Sequence, residues 1–221
     1  GQRRLDPDLA KGLLTALQQR KELPVLWFCF SRKECERRAR RNSWRNLLSR
    51  PEQSRIETLF DETCAAFRQE ITGDLTELRN LALRGIGFHH AGMLPIHKEV
   101  VERMFTSGLL KLLFTTETFA LGINMPARTA VFHALRKFDG VSFDYVRTRE
   151  YLQMAGRAGR QGIDEEGKVL SRIWLEEADY HALARITQGE CEGVASRFNL
   201  SYSTLLNLFL RLGKDVYTAY D

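Results

Sequence analysis

The sequence lacks what a membrane or an oxidising compartment would demand. Its longest unbroken apolar run, Val25–Phe30, is six residues, where a membrane helix needs roughly 18 or more. No signal-peptide pattern opens the chain. The four cysteines, Cys29, Cys35, Cys64 and Cys191, are scattered and form no CxxC pair. That spacing excludes a zinc ribbon or disulfide framework and points to reduced thiols in a soluble intracellular protein. With 16 glycines and 5 prolines in 221 residues, the chain is too poor in both for a fibrous or disordered polymer. Repeats and low-complexity segments are also missing.

What is present is an ordinary globular composition with an uneven charge. The net charge is +5, yet residues 31–50 alone carry eight basic and two acidic side chains. Such a block is either a solvated helix face or a contact for a polyanion.

Strand and helix signals alternate along most of the chain. Asp6-Pro7 starts a helix that ends at Pro24, and the apolar run from Val25 is a strand covered on both faces. A basic helix follows over about 32–41, then two helices within 52–84. Ile86–His89 is a strand, Pro95 opens a helix closed by Gly108, and Leu109–Thr115 and Thr129–His133 are strands. A helix is expected from Thr148 to about Arg160, a last strand over Gly167–Trp174 and a helix over 176–188. This alternation predicts an α/β fold, a parallel sheet with helices on both faces. After about residue 190 the pattern changes. A helix capped by Ser201, with Leu205, Leu206, Leu208, Phe209 and Leu212, reads as the start of a second domain that the chain leaves unfinished.

Four segments carry chemistry. In Gln153–Arg160 (QMAGRAGR), helical spacing places Gln153, Arg157 and Arg160 on one stripe. Gly156 and Gly159 would each cost about 1 kcal/mol in a helix, which suggests close approach of a second body bearing an anion. Arginines that stabilise a transferring phosphoryl group need such room; a salt-bridged surface helix is the alternative. Thr115–Pro126 (TTETFALGINMP) starts where a strand ends, the usual ligand position in open parallel sheets. Its hydroxyls suit phosphate oxygens, Gly122 permits close backbone approach, and Asn124 offers a donor and an acceptor. His89–Pro95 (HHAGMLP) and Phe30–Lys33 (FSRK) also sit at strand ends, so three loops are expected on one rim of the sheet. Two near-matches fail. Gly162–Val169 approximates GxxxxGK[ST], but it precedes a strand, ends in Val169 and carries three carboxylates. Asp61-Glu62-Thr63-Cys64 imitates a DExx magnesium box, but its surroundings have helical periodicity.

Together QMAGRAGR (153–160), TTETFALGINMPART (115–129), GIGFHHAGML (85–94) and FCFSRKECE (28–36) resemble the second RecA-like lobe of superfamily-two DExH-box helicases, in particular the Ski-like group that includes exosome-associated RNA helicases. The resemblance covers about residues 23–212. It implies a RecA-like lobe over 1–190 and, in SRFNLSYSTLLNL (196–208), entry into a winged-helix domain within 191–221. It implies that Arg157 and Arg160 are arginine fingers for ATP and that Gln153 sits near the same phosphates and the attacking water. Gly122, Asn124 and Gly156 would lie on the nucleotide side. Ser31, Arg32, His90, Gly92, Thr116 and Glu117 would track a single strand, RNA in preference to DNA. A strand-separating hairpin is expected to turn at Asp139-Gly140. The P-loop lysine and the DExH box, which hold ATP and Mg in the family, belong to a first lobe with no match here. The implied function is the second motor lobe of an ATP-dependent helicase, inactive by itself. A DNA-repair helicase lobe and a non-catalytic binding scaffold are the alternatives.

Overall fold

The apolar runs of the sequence become the buried strands of one parallel sheet. The computed structural model describes residues 7–122, 125–138, 141–174 and 178–189. The chain separates into two compact units, Gly1–Cys191 and Glu192–Asp221. The second unit, including the expected Ser201 helix and winged-helix entry, lies outside the described residues.

The strands are β1 (Val25–Phe28), β2 (Ile86–His89), β3 (Leu112–Thr115), β4 (Thr129–Phe132), β5 (Arg136–Phe138), β6 (Phe143–Tyr145) and β7 (Lys168–Ser171). Five form a parallel sheet in the order β2-β3-β1-β4-β7, and β5 pairs antiparallel with β6. The first four are buried at every position, as both-face coverage requires. The helices are α1 (Pro7–Gln19), α2 (Arg32–Asn42), α3 (Arg50–Ala66), α4 (Asp74–Ala82), α5 (Pro95–Thr106), α6 (Thr118–Gly122), α7 (Thr148–Ala155) and α8 (Tyr180–Gln188). The α/β parallel-sheet expectation is therefore met. Ring packing ties the layers together: Phe28 meets Phe132 at 5.5 Å between centroids, and Phe132 meets Tyr151 of α7 at 4.8 Å.

The register puts the carboxyl ends of the strands level. Phe28 pairs with Thr115 and Phe132, and His89 with Thr115. The loops after β1, β2 and β3 thus start on one rim, as expected. Strands are shorter than the apolar runs. Leu109 and Leu110 are buried in the turn after α5, where the Leu110 N–H donates to the Met104 carbonyl at 3.2 Å. Among the described residues no helix is long and apolar enough to cross a membrane. Cys29, Cys35 and Cys64 are free and buried.

Part of the basic block at 31–50 is held by contacts within the fold, although only Arg38 and Arg45 are buried. Arg38 pairs with Glu34 (Nε–Oε1 2.5 Å), lies over Trp27 and donates to His133 Nε2 at 2.8 Å. Arg40 reaches Glu77 of α4, and buried Arg45 donates to Asn42 and Thr15. Because Arg38 donates to Nε2, that nitrogen cannot carry a proton, and His133 is neutral although Glu34 lies 3.7 Å away. Burial first, then Arg38, Arg172 and Arg37, pushes its pKa down to about 3 from 6.5. The unfolded chain takes up a proton near pH 6.5 that the folded state refuses until about pH 3, so stability falls as pH drops through that interval. We predict that His133→Gln, which keeps an acceptor for Arg38, flattens this acid slope by up to about 1.4 kcal/mol per pH unit. Urea unfolding across the interval measures it, and an unchanged slope would contradict the assignment.

Candidate functional site

A parallel sheet dictates how the candidate residues separate. A chain leaving the carboxyl end of β3 must return to the amino end of β4, so residues 116–128 run the length of the sheet. The Thr115–Pro126 segment therefore lines the rim only at its start. Thr116 and Glu117 stand there, α6 carries the chain away, and Gly122 ends that helix. Asn124 lies outside the described residues. The sequence gave no expectation of α6; its Thr118, whose hydroxyl meets that of Thr116 at 3.0 Å, starts the helix.

On the rim, Ser31 caps α2 by accepting the Glu34 N–H at 3.2 Å. The Arg32 side chain crosses Gly92: a Cβ on Gly92 would fall 2.8 Å from Arg32 Nη1. The loops after β1 and β2 are thereby joined, and Ser31, Arg32 and Gly92 are all exposed. His90 is different. Its side chain is buried and meets Glu36 Oε1 at 3.0 Å, so its ring is not offered to the surface. His89 turns to another helix, meeting Glu102 of α5 at 2.7 Å, in keeping with adjacent histidines on opposite sides of a strand. Glu117 pairs with Lys137 of β5 at 2.7 Å, and Lys137 reaches Glu150 of α7 at 2.9 Å. Burial alone would lower the Lys137 pKa, but the two carboxylates outweigh it and raise it. One ammonium thus ties the rim to the hairpin and to α7. The hairpin itself forms as expected, with Phe138, Val141 and Phe143 exposed; its turn at Asp139-Gly140 lies outside the described residues.

The arginine segment corrects the sequence reading. Helix α7 stops at Ala155 with Gly156 as its C-cap, so Gln153, Arg157 and Arg160 do not share a helical stripe. Gln153 is exposed on the last turn of α7. Beyond the cap the backbone is pinned to Ala127, two residues before β4: the Ala127 N–H donates to the Arg157 carbonyl at 2.9 Å, and the Gly159 N–H to the Ala127 carbonyl at 2.7 Å. Gly159 has φ +90°, a region L-residues rarely enter. The close body at Gly159 is the chain's own backbone at Gly167. A Cβ on Gly167 would fall 2.6 Å from the Gly159 nitrogen and inside contact of the Ala158 carbonyl.

This pinning presents two guanidinium groups. Arg157 is half-buried and its Nη2 donates to the Ala120 carbonyl of α6. Arg160 keeps 26% of its side chain exposed and grips Asp164 with Nε to Oδ2 at 2.7 Å and Nη2 to Oδ1 at 2.8 Å. Asp164 is the residue that sequence reasoning missed. It was counted only as a carboxylate hostile to phosphate, although its i,i+4 spacing from Arg160 was a visible signal. The Arg160 guanidinium, then the Arg160 N–H and Arg128, hold its pKa down at about 2 against burial. Both near-matches remain rejected on geometry: Asp61 lies inside α3 and pairs with Arg79 at 2.8 Å, and Gly162–Gly167 leads into β7. Among the described residues no group of three or more His, Cys, Asp or Glu side chains is placed to hold a metal ion.

Removing the Gly159–Gly167 contact tests whether the arginine loop depends on it. Gly167→Ala is predicted to destabilise the protein by about 1–3 kcal/mol through overpacking against backbone. Gly12→Ala, where a Cβ meets nothing within 4 Å, should instead stabilise α1 by up to about 1 kcal/mol. Urea midpoints report both; equal small effects would contradict the packing argument.

Comparison with known proteins gives the site a setting. Residues 41–162 match the family described as the helicase conserved C-terminal domain. The DExH-box ATP-dependent RNA helicase DExH11 of Arabidopsis thaliana is 44% identical over 198 residues, 89% of this chain and 15% of that protein. Human Superkiller complex protein 2 is 44% identical over 204 residues, 89% of this chain and 16% of that protein. Human exosome RNA helicase MTR4 is 38% identical over 199 residues, 89% of this chain and 19% of that protein. The chain spans less than a fifth of the length of each of these relatives.

Proposed function

We propose, from the premise that this chain belongs to the helicase conserved C-terminal domain family, that it is the second motor lobe of an ATP-driven RNA helicase. The observation that carries the reading is the pinned loop holding Arg157 and Arg160, joined by residues 116–128 to the rim that bears Ser31, Arg32, Gly92, Thr116 and Glu117. Family membership and the relatives' description as RNA helicases support it, and favour RNA over DNA.

In this reading a first lobe carries the P-loop lysine, the DExH box and the magnesium site, and ATP lies between the lobes. The donor set on this side fits an anionic phosphate: two guanidinium groups and the exposed Gln153 amide. A preorganised guanidinium stabilises charge as it develops on the transferring phosphoryl group and needs no reorganisation at that moment. Gln153, exposed on the last turn of α7, orients the attacking water. Gly122, Asn124 and Gly156 line the nucleotide side. On the rim, Arg32 and Lys33 supply phosphate contacts, Ser31, Gly92 and Thr116 supply small groups that let backbone approach, and His90 supports the loop from beneath through Glu36. Closure of the lobes moves the rim and the arginine loop together, because one continuous segment belongs to both. Residues 191–221 begin the winged-helix domain of the same protein. This lobe alone hydrolyses no ATP, because half of its catalytic groups reside elsewhere.

Arg157→Ala in the full-length protein tests the assignment. We expect RNA-stimulated kcat to fall by about 100-fold or more while single-stranded RNA affinity stays within about twofold, since phosphate contacts on the rim are untouched. Retained stimulated turnover would contradict it. Competition between RNA and DNA strands of matched sequence at fixed salt checks the substrate: preferential displacement by RNA is expected, and preference for DNA would transfer the lobe to DNA repair.

A further inference from the structure

We propose that Asp164 is the positioning residue for Arg160, fixing which edge of its guanidinium faces the phosphates; this rests on the reading of Arg160 as a phosphate contact.

The exposures run in opposite directions across the pair. The Asp164 side chain is 1% exposed and that of Arg160 26%, so the carboxylate is the anchor and the guanidinium the presented group. Asp164 is held from several sides. Its Oδ2 accepts the Arg160 backbone N–H at 3.0 Å, its own N–H donates to the Arg160 carbonyl at 2.9 Å, and Arg128 Nη1 reaches Oδ1 at 3.4 Å. Arg128 is in turn fixed by Glu22 at 2.8 Å, and Glu22 by Lys168 of β7 at 2.5 Å. These contacts link Asp164 through Arg128, just before β4, to Lys168 at the start of β7.

A guanidinium is planar and has three donor edges. Asp164 takes the edge formed by Nε and Nη2. Nη1 has no partner among the described residues, so the edge formed by Nη1 and the second Nη2 hydrogen remains for an anion. The bidentate grip removes rotation about the last side-chain bonds, and the entropy of aligning the fork is spent on folding rather than in the reaction. Within this chain of groups three cations face two anions, so the cluster keeps a positive charge for the ligand. A lock that sequesters Arg160 is the opposite possibility, and the two differ in sign: releasing a lock raises turnover, whereas removing a positioning residue lowers it.

The test uses the full-length protein and four variants: Asp164→Asn, Arg160→Ala, their combination, and Arg128→Gln. Asp164→Asn loses one of the two acceptors and faces Nη2 or Nε with an amide. We expect its RNA-stimulated kcat to fall about tenfold or more, with KM for ATP and RNA affinity within about threefold. The double variant should match Arg160→Ala within about twofold, because Asp164 acts through Arg160. Arg128→Gln, which loosens the anchor without touching the fork, should lower kcat in the same direction by less. If it is Asp164→Asn that does not fold, Arg128→Gln and its combination with Arg160→Ala carry the same comparison. Wild-type kcat in Asp164→Asn beside a loss in Arg160→Ala would overturn the positioning role and leave the arginine reading intact. Unchanged kcat in Arg160→Ala would overturn both. A rise in RNA-free hydrolysis in Asp164→Asn, or losses that multiply in the double variant, would also overturn the proposal, the first as a lock and the second as a structural role.

Discussion

Two backbone hydrogen bonds, from Ala127 to Arg157 and from Gly159 to Ala127, determine where this lobe presents its arginines. They form one isolated parallel bridge, Ala127 to Ala158, two residues before β4, and so tie the loop to the chain entering that strand. The geometry is possible only because Gly159 accepts a positive φ and Gly167 leaves room for its backbone. A loop that had ended α7 in solvent would leave the guanidinium groups free to rotate. A single continuous helix would have set both of them on one stripe. The observed arrangement does neither: Arg157 is steadied by a carbonyl of α6 and Arg160 by a buried carboxylate.

The same sheet topology links two surfaces. Since β3 and β4 are parallel, their connection must cover the length of the strands, and it carries Thr116 and Glu117 at one end and Ala127 at the other. A displacement at the rim and a displacement at the arginine loop are therefore movements of one segment. Lys137 adds a second tie, from Glu117 through β5 to Glu150 on the helix that leads into the arginines. The charge distribution reinforces this division of labour. Within the basic block at 31–50, Arg37, Arg38 and Arg40 pair with carboxylates and Arg45 is buried, while Arg32 with its neighbour Lys33 stands exposed at the rim.

Much of this was legible in the residues. Val25–Phe28 and Leu112–Phe114 are unmistakable as strands buried on both faces, proline at the start and glycine at the end bracket α5, Pro51 opens α3 and Gly85 follows α4. The hairpin is implied by the resemblance, and the level strand ends follow from the parallel arrangement. The arginine loop was not legible. Helical periodicity continues through Arg160 in sequence, while the actual helix stops at Ala155 because the backbone gains more by bridging to Ala127, a partner 31 residues away in the chain. Of the two glycines, Gly159 marks a close approach, to the backbone of Gly167, whereas Gly156 is the exposed C-cap of α7 and would meet only carbonyls of its own helix. Pairings such as Arg40 with Glu77 and Lys137 with Glu117 are tertiary, and no local spacing announces them. His90 looked like a surface group because its motif sits at a strand end; its ring turns inward to Glu36.

The central claim is that this lobe supplies positive charge to a phosphoryl group in transit, so the decisive quantity is differential binding to the transition state. In the full-length protein with single-stranded RNA, the affinity for ADP–aluminium fluoride and for ADP should be measured for the wild type and for the variant lacking both guanidinium groups, Arg157→Ala with Arg160→Ala. The account predicts that the variant loses about 100-fold or more in affinity for the transition-state analogue while its ADP affinity changes by less than about threefold. Equal losses for the two ligands, or none for either, would contradict it.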